Sequence, residues 1–311
     1  MKKDLLSIHD LDPKDIESLF PLSADLKMRR RRGYHDEYKP LRGKTLAMIF
    51  HKASTRTRIS FEAGMFQLGG SALYLHANDL QMGRGESLAD TARILSRYVD
   101  GILIRTYRQE EVEELSRFAS IPVINGLTDK LHPCQILSDL FTIQEKKGRL
   151  TDLKIAYIGD GNNIANSWLY AAAKMNLHLW IACPAGYEPN TEVVKEAITE
   201  EVIDKRQIVI CQEPEEAASD ADVLYTDVWI SMGQEKEREK KLQAFSGYQI
   251  DTALLQKARK DALVMHCLPA HRGEEISGEV LEGKNSVIFD QAENRLYVQQ
   301  AILIRLLGQT S

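Results

Sequence analysis

Leu46-Ala47-Met48-Ile49-Phe50-His51-Lys52-Ala53-Ser54-Thr55-Arg56-Thr57-Arg58 decides the fold. Its first five residues form a continuous apolar run, short enough for a strand buried on both faces. Beyond Arg58, the residues Ile59, Phe61, Ala63, Met65, Phe66 and Leu68 recur at helical spacing. A strand therefore hands over to a helix at Ser54. The free N–H groups of a first helical turn, together with the helix dipole, favour an anion. Ser54, Thr55 and Thr57 add hydroxyls there, and Arg56 and Arg58 add two guanidinium forks. A single serine at this place would read as a helix cap only. Five donor residues in a row read as a phosphate cradle.

The same alternation continues on both sides. Strands are expected over 72–76, 101–104 and 122–125, and helices over 87–98, 110–118 and 133–146. A polar break at 146–152 separates this half from a second α/β series. There, strands are expected over 154–158, 178–182, 208–211, 222–225 and 263–266, with helices over 163–175 and 191–201. A polar helix over 234–243 and a final helix over 291–307 complete the chain. Alternating short strands and helices predict an α/β protein of two doubly wound parallel-sheet domains. The expected domains are 1–147 and 148–290, with 291–311 returning to the first.

Ligands of open parallel sheets bind beyond the carboxyl ends of the strands, and the chemically informative residues cluster there. Arg105 ends one strand. His132 precedes Pro133, which suits a first helical turn, and Gln135 projects one turn further in. The arginines answer a phosphate, and the imidazole and amide are spare donors for a carbonyl oxygen. Gly159-Asp160-Gly161-Asn162-Asn163 opens a helix but carries Ile164 where a dinucleotide fingerprint wants glycine, so it reads better as amide groups for a small zwitterion. Asp227 offers a carboxylate to an ammonium group, with Ser231, Met232 and Gly233 behind it in a candidate lid. His266 and Cys267 are neighbours on a strand end and point to opposite faces, a poor arrangement for a Cys/His nucleophile. Cys267 reads as a pocket wall or as an ordinary buried cysteine.

Composition narrows the classes. The 311 residues suit two domains, and 43% hydrophobic with 27% charged residues is typical of globular proteins. A net charge of −5 gives no general pull toward nucleic acid or anionic membrane. No signal-peptide core follows Met1-Lys2-Lys3-Asp4, and no apolar run spans a bilayer, so a cytoplasmic location is expected. Cys134, Cys183, Cys211 and Cys267 include no C-x-x-C pair, which argues against disulfides and a cysteine-rich zinc site. Arg29-Arg30-Arg31-Arg32 reads as the solvated end of a helix beginning near Pro13.

Ser-Thr-Arg-Thr-Arg, His-Pro-Cys-Gln, Asp-x-x-x-Ser-Met-Gly and His-Cys-Leu-Pro, in this order, resemble the aspartate/ornithine carbamoyltransferases, the last two motifs resembling the ornithine branch. The likeness covers essentially the whole chain. It implies a carbamoyl-phosphate domain followed by an amino-acid domain, with the active site in the cleft between them, and a trimer or multiple of trimers with shared active sites. It implies that Arg56, Arg105, His132 and Cys267 are catalytic. The implied carbamoyl-phosphate set is Ser54, Thr55, Arg56, Thr57, Arg105, His132, Gln135, Cys267, Leu268 and Arg295, with Gln81 lent to a neighbouring subunit. Asn163, Asp227, Ser231 and Met232 are the implied ornithine contacts. The expected reaction carbamoylates the δ-amine of L-ornithine, giving L-citrulline and phosphate in arginine biosynthesis, with no metal or organic cofactor. His51 stands where relatives often carry an acidic residue.

Overall fold

The computed structural model describes residues 3–33, 37–82, 85–199, 208–230 and 235–308. The chain divides into two compact units, Met1–Phe141 with Glu293–Ser311, and Thr142–Ala292.

In unit 1, α1 (Pro13–Arg31) precedes β1 (Thr45–Phe50), α2 (Thr55–Gln67), β2 (Ser71–His76), α3 (Leu88–Tyr98), β3 (Gly101–Arg105), α4 (Gln109–Phe118), β4 (Val123–Leu127) and α5 (Pro133–Lys147). The strands form one sheet in the order β2-β1-β3-β4, every pair parallel. Leu46 to Phe50 are buried, as a central parallel strand requires. The strand order reverses between β1 and β3, and a crevice opens beyond the carboxyl ends of such a pair. Ser54 and Arg105 follow or end those two strands. The last turn of α1 carries Arg29, Arg30 and Arg31, with Arg29 on Asp25 at 2.6 Å, so the basic run is a paired, solvated helix end.

Unit 2 contains β5 (Lys154–Ile158), α6 (Asn163–Met175), β6 (His178–Ala182), α7 (Thr191–Thr199), β7 (Ile208–Cys211), α8 (Pro214–Ala218), β8 (Val223–Thr226), α9 (Arg238–Ala244), α10 (Thr252–Leu255), β9 (Leu263–His266) and α11 (Gly278–Leu281). Its sheet order is β7-β6-β5-β8-β9, again all parallel. Here the order reverses between β5 and β8. The last helix, α12 (Ile288–Leu307), starts three residues earlier than expected and runs from unit 2 into unit 1. In unit 1 it lies against α2, where Gly64 leaves room for Gln300 and Leu303.

The division falls inside α5 rather than in the polar segment after it. The early turns of α5 are buried, whereas Lys146 and Lys147 at its end pair with Asp290 and Asp261 of unit 2. The helices α8, α10 and α11 have at most five residues, too few to show a 3.6-residue period. The helix expected over 234–243 is a 3-10 turn at Glu235–Glu237 followed by α9.

Candidate active site

In unit 1, Ser54 caps α2 and its Oγ accepts from the Thr57 N–H at 3.2 Å. The start of a helix, with its dipole, is a place that favours an anion. Thr57 is buried and its Oγ1 accepts from Arg295 Nη2 at 2.9 Å. Arg105 ends β3 and is 6% exposed. His132 precedes α5, and its carbonyl accepts from the N–H of Gln135 at 3.2 Å, so it stands at the cap before Pro133. Burial pushes the His132 imidazole well below its usual value, and the nearby charges of Arg295, Arg105 and Arg56 push the same way. A neutral imidazole therefore sits among three guanidinium groups. Gln135 is buried; its Nε2 donates to Asp139 Oδ1 at 2.8 Å and its Oε1 accepts no hydrogen bond.

One expectation for this crevice changes. Arg58 does not join the cradle: its guanidinium lies 3.7 Å from the Tyr74 ring and its Nε donates to Glu62 at 3.2 Å. Two steps along a helix turn a side chain by about 200°, so Arg56 and Arg58 diverge. His51 takes a hydrogen bond with Thr106 Oγ1 at 3.0 Å, beside Glu111 at 3.9 Å. Burial lowers the His51 pKa, opposed by Glu111 and helped by His76. Thr55 and Gln81 are exposed.

In unit 2, the loops after β5 and β8 meet at the switch point. Asn162 caps α6, with Oδ1 accepting from Ile164 N–H at 2.9 Å, while its Nδ2 donates to Asp227 Oδ2 at 2.8 Å. Asn163, the first residue of α6, is half-buried beside it. The Cys267 thiol lies 2.8 Å from the other Asp227 oxygen. His266 turns elsewhere, its Nε2 3.0 Å from Glu275 Oε1, as opposite strand faces require. His266 Nδ1 accepts from Leu268 N–H at 2.8 Å, holding Leu268 at a left-handed φ of 60°. Ser231 and Met232 lie outside the described residues.

The dinucleotide reading of 159–163 fails on geometry. Asn162 occupies the start of α6, where a pyrophosphate would sit. The backbone of Glu188 and Pro189 lies against Gly161, only 2.3 Å from where a Cβ would be. Sequence reasoning also missed Lys241, a charge in a charged stretch that is nonetheless buried on Asp160 at 2.7 Å.

These features define a class: a two-unit, doubly wound α/β protein with buried arginine and histidine side chains at the strand ends of one unit and a carboxylate beside a thiol at those of the other. The model of the aspartate/ornithine carbamoyltransferase carbamoyl-P binding domain matches residues 3–145, and that of the Asp/Orn binding domain matches 151–306. The chain is 59% identical to an ornithine carbamoyltransferase of Syntrophus aciditrophicus, over 97% of this chain and 99% of that protein. It resembles the solved ornithine carbamoyltransferase of Pyrococcus furiosus at a TM-score of 0.93 and 47% identity, covering 99% and 98% of the two chains. The anabolic ornithine carbamoyltransferase of Campylobacter jejuni gives 0.90 and 42%, covering 98% and 99%. The chain belongs to the aspartate/ornithine carbamoyltransferase family.

Proposed function

We propose that this protein transfers the carbamoyl group of carbamoyl phosphate to the δ-amine of L-ornithine, releasing L-citrulline and phosphate. The observation that carries the reading is that Thr57, Arg105, His132, Gln135 and Arg295 are all buried in unit 1, with Arg295 Nη2 donating to Thr57 Oγ1 in the first turn of α2 at 2.9 Å. The guanidinium groups and the start of α2 take the phosphate dianion. Arg105 and the His132 imidazole are donors for the carbamoyl oxygen, and Gln135 Oε1 is an acceptor for the carbamoyl nitrogen. The δ-nitrogen lone pair adds to the carbonyl carbon, the C–O bond to phosphate breaks with its electron pair leaving on the phosphate oxygen, and the nitrogen gives up one proton to the departing phosphate. Donors aimed at the tetrahedral oxyanion lower this barrier. Asp227 receives an ammonium group of the amino acid, Asn163 lies beside it, and Cys267 and Leu268 border the reacting amine. An aspartate acceptor would want added positive charge for a second carboxylate, whereas the described residues of this crevice offer Asp227 and a thiol.

The natural direction is arginine biosynthesis, in the cytoplasm, with no metal or organic cofactor. The working molecule is a homotrimer or multiple of it, with Gln81 reaching a neighbour's site. Ile59 and Phe66 on α2, Leu73 on the edge strand β2, and Ile94 and Tyr98 on α3 are exposed apolar side chains of unit 1, which suits burial against a second copy.

The test offers ornithine, putrescine, acetylornithine and aspartate in parallel with carbamoyl phosphate. Citrulline from ornithine alone supports the reading. Product from another amine keeps the anion crevice and overturns the amino-acid assignment.

A further inference from the structure

Lys241 lies in α9 and is 3% exposed. Its Nζ donates to Asp160 Oδ2 at 2.7 Å and to the Trp229 carbonyl at 2.9 Å. Asp160 belongs to the loop after β5 and Trp229 to the loop after β8. Four residues on, Phe245 caps α9; its ring stacks on Trp229 at 5.4 Å and meets Tyr187 edge-on at 5.0 Å. The Tyr187 carbonyl in turn accepts from Gly161 N–H at 2.9 Å. Residues four apart share a helix face, so α9 grips both loops with one ammonium and one aromatic ring.

The same two loops carry Asn162 and Asp227, joined to each other at 2.8 Å. Lys241 and Asp160 are a buried ion pair, and removing one partner leaves the other charge unpaired in a medium that penalises it. Burial already raises the Asp160 pKa, with Lys241 opposing that rise and Asp227 adding to it. Lys241 thus ties the Asp160 carboxylate of one loop to the Trp229 carbonyl of the other, two residues beyond Asp227.

We propose that Lys241 is a positioning residue for the amino-acid substrate, pinning the loops after β5 and β8 so that Asp227, held by Asn162, stands in register for its ammonium group. The inference rests on unit 2 being the ornithine-binding unit. It gives a buried role to a lysine that reads as surface charge in sequence.

Steady-state kinetics test it, starting with citrulline formation by the wild type. Lys241→Met should raise KM for ornithine about tenfold, leaving KM for carbamoyl phosphate and kcat at saturation within about threefold. Lys241→Arg keeps the cation and should stay within about threefold of wild type. The double variant Lys241→Met/Asp160→Asn removes the unpaired buried carboxylate. It should regain thermal stability over Lys241→Met while keeping the high ornithine KM, and it carries the test if the single variant fails to fold. An active wild type whose ornithine KM is unmoved by Lys241→Met, or returns to normal in the double variant, overturns the positioning role alone. A wild type that forms no citrulline overturns the proposed function, and this inference with it.

Discussion

His132 sets the charge of the first crevice. Its neutrality follows from burial and from the guanidinium groups of Arg295, Arg105 and Arg56. The unfolded chain protonates this histidine near its usual value of about 6.5, whereas the folded chain resists until lower pH. Its contribution to stability is therefore present above about pH 6.5 and is lost as pH falls toward the lowered folded value. Urea unfolding between pH 7.5 and 5.5 should show wild type losing stability faster than His132→Asn, by up to about 1.4 kcal/mol per pH unit. Parallel slopes would contradict the buried neutral imidazole. Arg56→Ala and Arg105→Ala should each lower turnover at least about a hundredfold with an unchanged circular dichroism spectrum. Near-normal turnover in both would remove the anion site from the mechanism. Arg56, Arg105 and His132 were legible as candidates because each stands at a strand end or helix start, whereas Arg295 lies inside α12 and was named by the resemblance alone. Arg58 was misread because adjacent sequence hides the rotation of a helix. Lys241 was hidden because its burial depends on Asp160, 81 positions away in sequence.

At the scale of elements, the β5–α6 turn carries the crevice proposed for the amino acid. Gly161 is needed there for space: a Cβ would meet the backbone of Glu188 and Pro189 at 2.3 Å. Backbone cannot step aside as a side-chain tip can. Gly161→Ala should therefore cost more than about 2 kcal/mol and raise KM for ornithine well above any change for carbamoyl phosphate. Calorimetry with paired kinetics checks both; wild-type stability and affinity would contradict the packing. The long elements were legible from periodicity, and β5, α6, β6, β7 and β9 match the sequence expectation. The strand expected over 222–225 is displaced by one residue, to Val223–Thr226. Asp222 instead closes the strand start, its carboxylate accepting from Lys154 N–H at 2.9 Å. The short helices of unit 2 had no period to read.

For the whole molecule, the exposed apolar side chains of unit 1 carry the expectation of assembly. Phe66 and Tyr98 are 78% and 77% exposed, on α2 and α3. Light scattering should give a native mass of three, or a multiple of three, times 35.2 kDa. Phe66→Glu should shift it toward monomer and lower activity with it. A monomeric, fully active wild type would contradict shared sites. Assembly is the least legible property of a single sequence, since an exposed phenylalanine becomes informative only once the fold shows that nothing in its own unit covers it. The most direct test of the proposed transfer is stoichiometry: citrulline and phosphate measured together from carbamoyl phosphate and ornithine at mildly alkaline pH. The account predicts equal amounts of both, with phosphate release falling to the spontaneous rate when ornithine is omitted. Phosphate released without matching citrulline would contradict it.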